Sequence, residues 1–292
     1  KNLSQAVALR NQVLTCFERT AALPEGDPAR QPLLTFVIGG GGPTGVEFSG
    51  ALAELIELVL RRDYHRINRH EVRTILVEGG QDLLSMVPPR LRRWTLRELR
   101  RRGVEVMLDT QIKSFDGNTV QLSSGQEIGA KTLLWAAGVH ASSLARATGL
   151  PVASQGTLPV TPDLRLAGHP EVYVVGDLAH FEQHGRPLPM LAPVAIQQGR
   201  SAAANVLRQL DGLPPRPFRY RDKGNLATIG RNAAVAEIGP VKLTGFVAWV
   251  TWLLVHLVLL IGFRNRLIVL INWAWNYFSF DRALRLITEP LR

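Results

Sequence analysis

One cysteine, Cys16, stands among 292 residues. A lone thiol forms no disulfide framework, and it supplies neither a CxxC redox pair nor a multi-cysteine metal site. The compartment expected is therefore a reducing one. Acidic side chains are also in the minority, 24 against 34 basic ones, for a formal net charge of +10. Such a balance favours anionic partners: nucleic acid, acidic lipid or phosphate-bearing ligands. No internal repeat and no amino-terminal signal peptide are legible, and the first residue is lysine rather than methionine. The expectation is a piece of a longer protein. Hydrophobic residues nonetheless make up 46% of the chain, enough for a full core, and the length suits two domains or one with an appendage.

Residues 1–30 read as an amphipathic helix, apolar at Leu3, Val7, Leu9, Val13, Leu14 and Phe17, followed by a turn rich in proline, glycine and aspartate. Thr35-Phe36-Val37-Ile38 is a short apolar strand that runs straight into glycines. From Thr44 the positions Val46, Phe48, Leu52, Leu55, Ile56 and Val59 keep helical period up to the basic Arg61-Arg62-Asp63. Thr74-Ile75-Leu76-Val77 predicts a second strand, residues 91–102 a helix stopped at Gly103, and residues 104–108 a third strand. Short joints between them specify a parallel, right-handed βαβαβ sheet. Asp116-Gly117-Asn118 and Ser123-Ser124-Gly125 then punctuate three short antiparallel strands ending near Ile128, and residues 133–138 return to the sheet. A second unit starts near Leu150, with Val172-Tyr173-Val174-Val175 as a buried strand and residues 193–210 as a helix.

Gly40-x-Gly42-x-x-Gly45, after a strand and before a helix, is a dinucleotide fingerprint in its required setting. The first glycine makes the tight turn, the second lets backbone approach a pyrophosphate, and the third lets helix pack on strand. The helix amino terminus, reached through Pro43 and Thr44, adds its positive dipole. Glu78 sits at the tip of the second strand, where an acid accepts hydrogen bonds from ribose hydroxyls and repels a 2′-phosphate. The ligand expected is NAD(H) rather than NADP. Glu78 lies 38 residues past Gly40, where about 20 is usual; the excess is helix plus an insertion at residues 63–70. Glu47 follows the last glycine by two residues, and spacing alone makes it a helix amino-terminal acid favoured by the dipole.

Ala136-Ala137-Gly138, then the strand ending in Gly176-Asp177, completes the layout of a two-dinucleotide-domain flavoprotein. In that layout the aspartate accepts a hydroxyl of the flavin's ribityl chain. These motifs, with residues 192–199 (Ala-Pro-Val-Ala-Ile-Gln-Gln-Gly), residues 220–231 (Tyr-Arg-Asp-Lys-Gly-Asn-Leu-Ala-Thr-Ile-Gly-Arg) and the ending 249–266, resemble the type II, non-proton-pumping NADH:quinone oxidoreductases over nearly the whole chain.

The resemblance implies an α/β, Rossmann-like flavoprotein fold with two dinucleotide-binding domains and a carboxy-terminal membrane-associated helical region. The expected division is 1–30, an N-terminal helix and linker of the FAD domain; 31–148, the NAD(H)-binding Rossmann domain; 149–212, the second part of the FAD domain; and 213–292, a membrane-anchoring and dimerisation region. The reaction implied passes hydride from NADH to FAD, then two electrons to a membrane quinone. Glu47 would sit by the nicotinamide, Ala137 and Gly138 would line the NADH side, and Gly176 with Asp177 would hold FAD. The helix opening at Ala192, Pro193 and Val194 would present its amino terminus to the flavin's electron-rich edge. Gln197 would face the quinone and Lys223 would lie near the flavin. Proline at 193, where the family often has glutamine, removes a possible hydrogen bond to a quinone carbonyl. The family also carries an earlier glycine fingerprint for the FAD adenosine phosphates, which these 292 residues do not contain. The polypeptide alone is accordingly expected to hold FAD weakly and to be inactive.

Residues 246–263 form an apolar run of 18 with His256 as the sole ionisable side chain, and 267–280 is apolar again after Arg264-Asn265-Arg266. A span needs about 20 apolar residues, so the run qualifies marginally. Trp249, Trp252, Trp273 and Trp275 are interface formers, which favours an in-plane anchor over a spanning helix; a buried hairpin or dimer interface is the plain alternative. Arg90, Arg92, Arg93, Arg97, Arg100, Arg101 and Arg102 crowd one helix. They read as a solvated basic face, with anionic lipid as a further partner if the helix lies on the membrane side and no recognition module for nucleic acid. The partners expected are NADH, a membrane quinone, the bilayer surface on the cytoplasmic face of the cell membrane, and a second copy as homodimer. The competing functions are a catalytically silent NAD(H)-binding redox sensor at the membrane and a flavin reductase with a soluble acceptor.

Overall fold

A computed structural model of the chain describes residues 3–260, 262–279 and 287, and at 59–62, 276, 278 and 279 only the course of the backbone. Lys1, Phe280 and most of the remaining carboxy terminus of the expected anchoring region lie outside the described residues, as do the side chains of Val59, Arg61 and Arg62. The chain forms two compact units: everything up to Ala137 together with everything from Gly224 onward, and Gly138–Lys223.

In the first unit, α1 (Leu3–Ala21) buries Val13, Cys16 and Phe17, and the Phe17 ring lies 5.8 Å from that of Phe36. After α2 (Arg30–Leu33) comes β1 (Thr35–Gly39), buried at all five positions. Such a continuous apolar run suits a central parallel strand covered on both faces. The elements α3 (Pro43–Arg62), β2 (Arg73–Val77), α4 (Pro89–Arg101) and β3 (Val104–Met107) follow, then the antiparallel set β4 (Ile112–Phe115), β5 (Thr119–Leu122) and β6 (Glu127–Gly129). Strand β7 (Thr132–Trp135) returns beside β1, giving a parallel sheet of order β3-β2-β1-β7. The helical period of Val46, Leu52 and Ile56 places these side chains in the core under the sheet. The insertion after α3 is more than extra length: it closes over Arg30, which is 3% exposed. Arg30 donates to both carboxylate oxygens of Glu71 (2.8 and 3.0 Å) and to the carbonyls of Leu23 (3.0 Å) and Arg66 (3.2 Å).

The second unit contains α5 (Leu144–Ala147), β8 (Leu158–Pro159), β9 (Arg165–Leu166), β10 (His169–Tyr173), β11 (Ala179–His180), β12 (Glu182–Gln183), β13 (Arg186–Pro187) and α6 (Ala192–Leu210). Its strands pair two by two. The strand expected at 172–175 begins and ends earlier, and Val172 and Val175 are exposed while Val174 alone is buried. Among the described residues β9 is its only paired neighbour, so it has no wider sheet around it there.

Back in the first unit, β14 (Asn225–Thr228), β15 (Ala234–Ile238) and β16 (Val241–Thr244) form an antiparallel meander that carries α7 (Gly245–Leu259) and α8 (Phe263–Ser279). Alanines at 234, 236 and 248 are fully buried where α7 lies on β15, small enough to let backbone approach backbone. The 15 residues of α7 reach about 22 Å at 1.5 Å each, short of the roughly 30 Å hydrocarbon core. Among the described residues, no helix is long and apolar enough to cross a membrane. The apolar run 246–263 is thus divided between two helices rather than continuous. Arg266 closes the end of α7 by donating to the carbonyls of Val258 (2.8 Å) and Leu260 (2.9 Å). Trp252 meets Trp273 at 6.2 Å, and Trp249 meets Tyr277 at 5.8 Å, so the helices pack as a hairpin. Its outer side leaves Phe246, Leu254, Val258, Phe263, Ile271 and Trp275 exposed.

Candidate functional site

In the first unit the glycine loop joins β1 to α3. Gly40 has φ +109°, and a side-chain carbon there would fall 2.7 Å from the Ala137 nitrogen, so β7's exit forces glycine. A carbon on Gly45 would lie 1.8 Å from the Gly40 carbonyl oxygen, which is the close helix–strand contact the third glycine permits. Gly42 differs from both: a carbon there meets nothing within 4 Å and φ is not positive. No demand of the fold requires glycine at 42. It faces open space at the amino end of a 20-residue helix, where Pro43 and Thr44 begin the first turn. A phosphate needs that room, and that helix end suits its charge.

Glu78 stands at the end of β2 beside this loop. Its two carboxylate oxygens accept the backbone N–H groups of Gly41 and Gly80. The acid therefore also braces the loop, and it retains lone pairs for a hydroxyl donor.

Glu47 lies in the second turn of α3, past the turn where a dipole-favoured acid would sit. Its carboxylate accepts from the Thr228 backbone N–H (3.2 Å) and, at the edge of hydrogen-bonding range (3.5 Å), from the Thr228 hydroxyl, on β14 181 residues away. Burial pushes the Glu47 carboxyl above its ordinary range, while the Thr228 hydrogen bonds and the charge of His256 pull the other way. His256, on α7, donates from Nδ1 to the Trp252 carbonyl at 2.8 Å and stacks on the Trp252 ring at 3.8 Å. The dinucleotide helix and the hairpin thus bear on one carboxylate.

In the second unit, Gly176 and Asp177 open a 3₁₀ turn after Val175. The Gly176 N–H donates to the side-chain carbonyl of Gln198 at 2.6 Å, which pins the turn to α6; the Asp177 side chain is exposed. Helix α6 begins without a side-chain cap, at Ala192 with Pro193 at its second position. Pro193 carries no N–H, and the N–H groups of Val194 and Ala195 both donate to the Leu191 carbonyl (3.0 and 3.1 Å), so what this helix end offers an acceptor is chiefly its positive dipole. Val194, Gly176 and Gln198 border a pocket that Ser154, Thr157 and His180 also line. The Gln197 amide donates to the Arg221 carbonyl (3.0 Å) and accepts the Arg221 N–H (3.0 Å), so it fixes the strand of chain that presents Lys223 to solvent. Among the described residues no cluster of His, Cys, Asp or Glu could hold a metal ion.

Residues 9–199 match the family described as pyridine nucleotide-disulphide oxidoreductase, and residues 223–282 match the NDH2 C-terminal domain. The chain belongs to the type II NADH dehydrogenases of the pyridine nucleotide-disulphide oxidoreductase family. It is 37% identical over 301 aligned positions to the type II NADH:quinone oxidoreductase Ndh of Mycobacterium tuberculosis, covering 99% of this chain and 64% of that protein. It is 32% identical to an internal alternative NAD(P)H-ubiquinone oxidoreductase of Arabidopsis thaliana mitochondria, covering 97% of this chain and 59% of that one. The chain therefore spans less than two-thirds of these relatives' length. Its fold superposes on NDH2 of Plasmodium falciparum, solved with NADH, at a TM-score of 0.85 and 19% identity, over 99% of this chain and 74% of that one. The expected α/β, two-dinucleotide-domain fold class is the one found.

Several residues of the site carry little sign of their role in the sequence. Thr228 and His256 show their relation to Glu47 only once β14 packs on α3 and α7 packs on β14. Gln198, not its neighbour Gln197, is the buried member of the pair and the one that holds Gly176. A signal existed for it: at Val194, Gln198, Ala202 and Asn205 the buried face of α6 keeps helical spacing.

Proposed function

We propose that this chain is the NADH-binding and carboxy-terminal part of an NADH:quinone oxidoreductase that moves hydride from NADH to FAD and two electrons on to a quinone at a membrane surface, without pumping protons. The observation that carries the reading is the sharing of one half-buried carboxylate, Glu47, between the helix behind the glycine loop and the sheet matched by the NDH2 C-terminal domain. Gly40, Gly42 and Gly45 shape the space for the NADH pyrophosphate, which meets the amino end of α3 where Pro43 and Thr44 open the helix; the Gly40 N–H itself goes to the Val77 carbonyl (2.8 Å). Glu78 accepts adenosine ribose hydroxyls. Glu47, held by Thr228, positions the nicotinamide end, with Ala137 and Gly138 on the same ligand. Gly176, Asp177 and the start of α6 at Ala192, Pro193 and Val194 hold FAD: the carboxylate accepts a ribityl hydroxyl and the helix dipole favours negative charge. Bound there, FAD supplies the two-electron acceptor that NADH reduces and quinone reoxidises. Gln197 keeps the segment bearing Lys223 in place and lies on the quinone side.

The exposed apolar side chains of the α7–α8 hairpin attach the protein to the cytoplasmic face of the cell membrane in the plane of the interface, and the same region pairs two copies. Relatives with enzyme names leave the silent-sensor alternative without support. The test is NADH oxidation by the FAD-loaded full-length protein with a short-chain quinone. Activity that falls sharply in Glu47→Gln with NADH still bound supports the reading; no quinone-dependent oxidation removes it.

A further inference from the structure

We infer that a line of arginines on α4 is a docking surface for anionic phospholipid headgroups, set beside the apolar hairpin; this rests on the membrane-surface reading above. The seven arginines at 90–102 are not one solvated face. Arg92 donates to the carbonyls of Val87 and Ser85 and to Asp82, Arg101 pairs with Glu98, and Arg102 bridges Glu98, Glu54 and the Arg231 carbonyl. The side chains of the remaining four, Arg90, Arg93, Arg97 and Arg100, are all exposed, and no side-chain hydrogen bond or ion pair joins them to any described residue. Their spacing of three, four and three puts them on one line along α4, about 15 Å long. The core-facing Leu91, Thr95, Glu98 and Leu99 hold that line outward.

Where the line lies decides its partner. Helix α4 packs on β15 and β16, the strands that carry α7. Trp94, between Arg90 and Arg97, reaches the first residue of α7, its ring 3.9 Å from where a side-chain carbon on Gly245 would stand. Exposed Lys242 on β16 adds a further positive charge on the same sheet. A basic rim therefore borders the root of an exposed apolar hairpin. A nucleic acid would use the arginines and leave the hairpin bare, whereas a bilayer satisfies both. Guanidinium groups suit phosphate diesters, which they can grip with two parallel N–H bonds.

Each arginine at an anionic surface strengthens partition about fivefold, an effect screened by salt. Co-sedimentation of the full chain with phosphatidylcholine vesicles, alone or mixed with phosphatidylglycerol, tests this. The wild type should bind the neutral vesicles through the hairpin and the anionic ones at least about tenfold more tightly, the gain vanishing in high salt. Replacing Arg90, Arg93, Arg97 and Arg100 together by Gln should abolish the gain and keep neutral binding and the melting temperature; replacing them by Lys should keep most of the gain. An undiminished gain in the Gln variant overturns the inference, as does tighter binding to duplex DNA than to anionic vesicles. Binding to neutral vesicles with no preference for anionic ones refutes the arginine line while leaving the hairpin as anchor; binding to neither removes both.

Discussion

Gly42 and Gly45 lie three residues apart in the same loop, and alanine at each should do opposite things. At Gly45 the added carbon falls 1.8 Å from the Gly40 oxygen. The oxygen belongs to the backbone and the added carbon is fixed rigidly to it, so strand and helix must part by about 1 Å, an overpacking cost of about 2–3 kcal/mol. Gly45→Ala should melt about 5–10 °C below wild type. At Gly42 the carbon meets nothing, and Gly→Ala there should change stability by at most about 1 kcal/mol. It fills the space a pyrophosphate would use, however. Losing one charge-assisted hydrogen bond to phosphate costs about 1.5–3 kcal/mol, so NADH affinity should fall about 10- to 100-fold. Thermal melts and calorimetric NADH titrations read both quantities on the same samples. If Gly42→Ala binds NADH as wild type does, the loop is not the phosphate cradle, and the reasoning from open space is wrong.

Other consequences follow from the carboxylates and from two arginines. Folding opposes ionisation of Glu47, so its cost is absent below the ordinary carboxylate range and present above the raised folded value. Glu47→Gln should therefore gain in melting temperature on wild type as pH rises towards neutrality and match it at acidic pH; a gain confined to acidic pH contradicts this. Glu71 is the reverse case: Arg30 lowers its pKa, so its contribution is present above the ordinary range and lost as pH falls through the folded value, and Glu71→Gln should be destabilised at neutral pH only. Arg102→Met removes the guanidinium that reaches Glu54 (3.3 Å), Glu98 (2.9 Å) and the Arg231 carbonyl (3.0 Å) and should cost about 2–3 kcal/mol by denaturant unfolding. Arg266→Ala uncaps α7, and hydrogen exchange should quicken in its last turn while the parallel sheet stays protected.

What the sequence made legible was local. β1, α3, β2, α4 and β3 were readable because each carries its own period and three of the four joints between them hold glycine, and the β4–β6 excursion because turn residues mark it. Strand 172–175 misled because burial of an apolar run depends on what covers it, and among the described residues β9 alone pairs with β10. The 63–70 insertion looked like padding, since nothing near it in the chain announces that Arg30 will be enclosed by Glu71 and Arg66. Glu47 shows the limit most clearly. Its spacing fits a dipole acid, and only Thr228, far along the chain, gives it a different setting. The arginines of α4 could be counted in the sequence but not divided, because Glu54, Asp82 and a distant carbonyl decide which are taken.

The account's centre is that NADH bound on the glycine loop reduces a flavin that a quinone reoxidises. Anaerobic addition of NADH to the FAD-loaded full-length protein, followed by a short-chain quinone, tests it in one cuvette. The flavin's visible band should bleach at once with NADH and return on adding quinone, and Gly42→Ala should need far more NADH for the same bleaching. A band that NADH leaves untouched, or that bleaches but does not recover with quinone, contradicts the account.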